Sequence, residues 1–203
     1  MWLIFVEVWR PVRPRIVIEA FLLFAVTLST AVGLIKAAPW TAYGWLNLLL
    51  RKGGNLLVAP VLAMSDSPRF GLRLIPILFL LLLFFAMPTL AFAEEMIFRS
   101  KIRSKAGLFR QALLFGPAHL LAGVPVAVGA AIILVGFFLG YKFMNTKRKR
   151  ARMWAKRLHL PKNNKHIVEV AVNEAVYNST MYHTVLNTIA LSIALVLCIS
   201  KLF

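Results

Sequence analysis

Between Arg73 and Glu94 the chain reads LIPILFLLLLFFAMPTLAFA, twenty consecutive residues without a charge. At about 1.5 Å of rise per residue, such a run covers the roughly 30 Å hydrocarbon core of a bilayer. Apolar runs of this kind recur, each closed by basic or small polar residues. The pattern predicts membrane helices over about 16–38, 72–93 with a continuation to Arg99, 108–123, 126–144, and from Ile167 to the C-terminus. The last is polar at first (EVAVNEAVYNSTMYHTVLN) and then apolar (TIALSIALVLCISKLF). The GVP triplet at 123–125 marks a tight turn, and Gly136 with Gly140 sets a small-xxx-small spacing that lets two helix backbones approach.

Two stretches break the pattern. MWLIFVEVWRPVRPR, at the start, mixes aromatic residues with arginine and proline, a composition suited to the headgroup region, and is expected to lie on the membrane surface. Residues 39–70 are apolar but interrupted at Arg51, Lys52, Gly53 and Gly54. The pieces are too short to cross alone, so a re-entrant or interfacial pair of helices is expected. The reading is an all-α, polytopic helical transmembrane bundle of about five to seven membrane helices plus interfacial or re-entrant segments. Residues 1–71 are expected to hold the N-terminal interfacial segment, the first span and the re-entrant or interfacial region, and 72–203 the membrane-embedded core.

Composition strengthens this picture. The 203 residues are 60% hydrophobic and 15% charged, with a mean hydropathy of +0.77. A soluble domain carries about one quarter charged residues. The net charge of +17 does not point to nucleic acid, because Lys and Arg lie between apolar spans, as in cytoplasmic loops facing anionic lipid. The N-terminal arginines, the stretch 99–110 and the loop 145–165 (KRKRARMWAKRLHLPKNNK) are therefore placed on the cytoplasmic side. This gives an integral protein of the plasma (inner) membrane with a cytoplasmic N-terminus. The single cysteine, Cys198, excludes an intrachain disulfide and a thiolate metal site. The Asn178-Ser179-Thr180 sequon is too common a pattern to carry weight.

Few strongly polar side chains remain near or within spans: Glu94, Glu95, Arg99, His119, His183 and Asn187, with Glu169, Asn173 and Glu174 nearer the basic loop. Glu19, near the start of the first span, is expected to reach water or Arg15. Ionisable groups at membrane depth are costly to keep and are functional candidates by default. Glu95 and Arg99 are four apart and share a helix face, whereas Glu94 is rotated by about 100°. Arginine thus compensates Glu95 and leaves Glu94 available for chemistry. His183 and Asn187 form a second pair four apart. His119 follows Gly116 and Pro117, which bend a helix and free backbone groups.

The motifs EExxxR (Glu94, Glu95, Arg99), FxxxH (Phe115, His119) and HxxxN (His183, Asn187), in this order on separate helices, resemble those of the CAAX-protease and bacteriocin-processing family. That family of intramembrane endopeptidases includes the Ras-converting enzymes. The resemblance covers about residues 72–200, including the GFFLGY segment. Ser100 stands where the family carries glycine after the arginine, and the Gly140–His183 interval is longer than in many compact members, which hints at an additional amphipathic helix.

The resemblance implies hydrolysis of a peptide bond in a hydrophobic or prenylated, CAAX-type peptide or protein, with that substrate and membrane lipids as partners. Glu94 would activate a water and His119 would hold or polarise it. His183 and Asn187 would donate to the oxyanion, and Arg99 would hold Glu95. No cofactor is needed for this scheme; a zinc site from Glu94, His119 and His183 is the alternative, although no HExxH-type ligand pair occurs. A non-catalytic immunity or scaffold protein, or a small transporter with a buried polar cluster, is compatible with the same residues.

Overall fold

A computed structural model describes residues 8–45, 61 and 63–200 of the chain. The described residues form α-helices and short 3-10 helices, and no strand occurs among them. Five α-helices carry the architecture: α1 (Pro14–Ala37), α2 (Phe70–Phe98), α3 (Lys105–Leu121), α4 (Val126–Leu158) and α5 (Lys165–Ser200). Short 3-10 turns at Pro39–Ala42 and Met64–Asp66 flank the α1–α2 connection. Most of the expected re-entrant pair in 39–70 lies outside the described residues.

Four helices, α1, α2, α4 and α5, are long and apolar enough to cross a membrane, so the expected five to seven are not reached among the described residues. The remaining helix, α3, has 17 residues, opens on a Ser104 cap whose hydroxyl accepts from the Gly107 amide, and contains Pro117.

Helix ends show which way each element runs. The Trp45 indole donates to the Leu120 carbonyl, and the Val126 amide donates to the Tyr43 carbonyl. The end of α1 therefore meets the α3–α4 turn. At the opposite end, the Lys147 ammonium donates to the Ile102 carbonyl, and Arg150 pairs with Glu174. The start of α1, the 99–104 connection, the end of α4 and the start of α5 share this second end. The basic segments singled out in the sequence thus gather on one side of the bundle.

The expected loop at 145–165 is corrected. Residues 145–158 continue α4, which ends at His159 in the left-handed conformation (φ 53°), and the turn to α5 is complete by Asn164. At 33 and 36 residues, α4 and α5 are about 50 Å and 54 Å long. Each exceeds the hydrocarbon core, so the long Gly140–His183 interval is taken up by extending two helices and not by an additional one. Trp154 and Arg150 both engage Glu174 across this hairpin, giving the polar extension its own contacts.

The described end of the N-terminal segment packs against the bundle. Val8 is 1% exposed and joins the main core with Ile16, Ala20, Val185 and Leu186, while Trp9 stacks on Phe84 of α2. The sequon at Asn178 is helical: its side chain accepts from Thr146, and Thr180 is fully buried, so the segment is packing surface.

The glycines place α3. A Cβ at Gly136 would lie 3.0 Å from Ala112 Cα, and one at Gly140 would lie 3.1 Å from Leu108 Cγ. Gly116 meets the Gly129 carbonyl directly, again without room for a methyl group. The expected small-residue contact is therefore the α3–α4 interface, and it presents the Phe115 and His119 side of α3 to α2 and α5.

Candidate active site

Five of the six expected site residues meet where α2, α3 and α5 converge. Glu95 is fully buried in the last turn of α2. Its Oε1 lies 3.0 Å from His183 Nδ1, and Ser179 donates its hydroxyl to Oε2. Ser179, His183 and Asn187 recur every four residues along α5, so one face of a single helix supplies this row.

Arg99 caps α2 and is also fully buried. Its Nε is 3.5 Å from Glu95 Oε2, an ion pair too long for a hydrogen bond. Its guanidinium carbon sits 4.4 Å from the centre of the Phe115 ring. None of its three nitrogens has a hydrogen-bond partner among the described residues. The expected Glu95–Arg99 pair is thus present but indirect: the close partners of Glu95 are His183 and Ser179, and arginine acts through charge and through the face of Phe115.

Glu94 points to the other side of α2, as the 100° rotation requires, and is 38% exposed. Its Oε2 lies 3.9 Å from His119 Nε2 and 3.7 Å from His183 Nε2. Both imidazoles are held from behind. His119 Nδ1 is 2.7 Å from the Phe115 carbonyl, which can only accept, so Nδ1 carries a proton. His183 Nδ1 likewise faces the Glu95 carboxylate. Phe115 packs edge-on against both rings, with centroids 4.7 Å and 5.7 Å away. Two oriented Nε2 atoms therefore flank one buried carboxylate oxygen at separations longer than a direct hydrogen bond.

Asn187 does not join them. Its amide donates to the Met87 thioether at 3.3 Å, one turn farther along α5. Thioether sulfur is a weak acceptor, so this bond is cheaply exchanged.

Sequence reasoning missed Ser179, although its place one turn before His183 on the same face was the available signal. It also missed the partners of Glu19. That carboxylate pairs with Arg15 at 2.9 Å, as expected, but additionally accepts from Lys142 at 2.5 Å and from the Tyr182 hydroxyl at 2.7 Å. The cluster ties α1 to α4 and α5. Glu174 belongs to the α4–α5 hairpin, away from Glu94.

The zinc alternative does not fit these positions. Among the described residues, no group of three His, Cys, Asp or Glu side chains could hold a metal ion. Glu94 Oε2 lies 3.9 Å and 3.7 Å from the two Nε2 atoms, a few tenths of an ångström beyond the roughly 3.4 Å between ligands of a tetrahedral zinc ion.

No protein-family model matches the chain, and neither does any curated protein or solved structure.

Proposed function

We propose that the protein is an intramembrane endopeptidase that hydrolyses a peptide bond with a water activated by Glu94. The single observation that carries this reading is the placement of Glu94 Oε2 between His119 Nε2 and His183 Nε2, each imidazole fixed through its other nitrogen. Oε2 itself is buried while the Glu94 side chain as a whole is 38% exposed, so the open part of the carboxylate, beside two oriented nitrogens, is the seat for a nucleophilic water. General-base assistance of this kind contributes about 10² to 10⁴ in rate.

The roles follow from the hydrogen bonds. Glu94 takes a proton from the water as its oxygen attacks the scissile carbonyl carbon. His119, oriented by its Nδ1–H donating to the Phe115 carbonyl, offers its Nε2 lone pair and keeps the water in place. His183 differs because a carboxylate, not a carbonyl, sits behind it. Its Nδ1 faces Glu95 and its Nε2 faces Glu94, and an Nε2–H there is the donor to the oxyanion. Asn187 adds a second donor by leaving Met87. The proton held by Glu94 passes to the leaving amine, which restores the carboxylate.

The three motifs favour membership of the CAAX-protease and bacteriocin-processing type and a prenylated or hydrophobic peptide as substrate. The gathering of basic segments at one end supports a cytoplasmic N-terminus in the inner or plasma membrane. The competing reading, a non-catalytic scaffold, immunity protein or transporter, takes the same cluster as structural. Hydrolysis of a prenylated CAAX peptide by the purified protein, set against its Glu94→Gln variant, separates the two: the scaffold reading requires no cleavage and an unchanged cellular role for the variant.

A further inference from the structure

A groove of about 830 Å³ opens between α1, α4 and α5 at the basic end, on a face of α5 different from the one that carries His183. We propose that it binds the headgroup of an anionic phospholipid. The inference is independent of the hydrolase reading.

Charge selects the ligand class. Five cationic side chains line the groove against two carboxylates, Glu19 and Glu174. Glu19 is shared by Arg15 and Lys142, and Glu174 is taken by Arg150. Arg13 and Lys149 remain, on opposite walls, with no ion-pair partner among the described residues. Asn145 and Asn178 supply neutral polar groups beside them. Only an anion offsets the surplus, and a phosphodiester fits a wall of separated cations and amides.

Position selects a lipid over a free anion. The first turn and a half of α1 lines the groove with Arg15, Ile16 and Glu19. Directly beside it, α1 exposes Ile18, Phe21 and Leu22 at 59%, 56% and 58%. An acyl chain leaving the groove meets this apolar face, whereas a free phosphate gains nothing from it. Basic pockets between membrane helices are the usual form of such sites.

The test uses the full chain in neutral detergent, with thermal unfolding followed as phosphatidylglycerol, phosphatidylcholine or inorganic phosphate is added. Phosphatidylglycerol is expected to raise the unfolding temperature saturably, and the other two are not. The double variant Arg13→Gln with Lys149→Gln is expected to weaken the apparent affinity about thirtyfold, the effect of two membrane-proximal cations. The charge-conserving pair Arg13→Lys with Lys149→Arg retains binding, which separates loss of the site from loss of the fold. A control pair outside the groove, Arg148→Gln with Lys156→Gln, changes affinity less than about twofold. Equal stabilisation by phosphatidylcholine overturns the proposal, as does an equal loss in the control pair, which would mean diffuse attraction. Equal stabilisation by inorganic phosphate replaces the lipid with a free-anion site.

Discussion

His183 Nδ1 lies 3.0 Å from Glu95 Oε1, and both side chains are withdrawn from solvent. This contact, across α2 and α5, orients the imidazole towards Glu94. Replacing Glu95 with Gln keeps the shape and removes the charge. It also leaves Arg99, fully buried, without its nearest counter-charge. The expected outcome is a loss of roughly 3 to 5 kcal/mol in stability together with a fall in cleavage. Chemical unfolding in detergent and peptide turnover check both parts.

Glu94→Gln should behave in the opposite way. The side chain is 38% exposed and its Oε2 makes no hydrogen bond among the described residues, so the fold loses little, within about 0.5 kcal/mol. Cleavage should fall at least about a hundredfold, because an amide cannot take the proton from water. A variant that folds normally and does not cleave separates these two adjacent glutamates.

Ser179→Ala removes the hydroxyl that donates to Glu95 and leaves one carboxylate oxygen with only the distant Arg99 Nε. A cost of about 1 to 3 kcal/mol is expected. Turnover should drop less than in Glu94→Gln, since His183 still holds Glu95. Comparing the Ser179→Ala and Glu95→Gln single variants with their double tests whether the two act as a unit, as contact predicts.

Gly116→Ala places a methyl group against the Gly129 carbonyl and the Ile133 side chain. Neither backbone yields cheaply, so α3 must move away from α4, at a cost of about 1 to 3 kcal/mol. Because α3 carries His119, the Nε2–Glu94 separation changes with it. Activity is expected to fall with stability here, and Gly33→Ala, where a Cβ meets nothing within 4 Å, is expected to be silent.

The sequence exposed the helices because the bilayer demands long apolar runs, and α1 and α2 keep nearly the expected limits. It did not expose the end of α4. The stretch KRKRARMWAKR reads as a loop by charge, yet its helix is held by contacts of Arg150 and Trp154 with Glu174, twenty or more residues away. The convergence of Glu94, His119 and His183 was anticipated by their motifs. Whether Arg99 or His183 would be the near partner of Glu95 was not, because a spacing of four fixes a shared face and not a distance. The link from Glu19 to Lys142 spans 123 residues and has no local signature.

The most direct measurement is cleavage of a prenylated CAAX peptide by detergent-purified protein, with and without a metal chelator, in wild type, Glu94→Gln and His183→Ala. The account predicts turnover that withstands the chelator and is lost in both variants while their unfolding temperatures show that they remain folded. Turnover that persists in Glu94→Gln would contradict it.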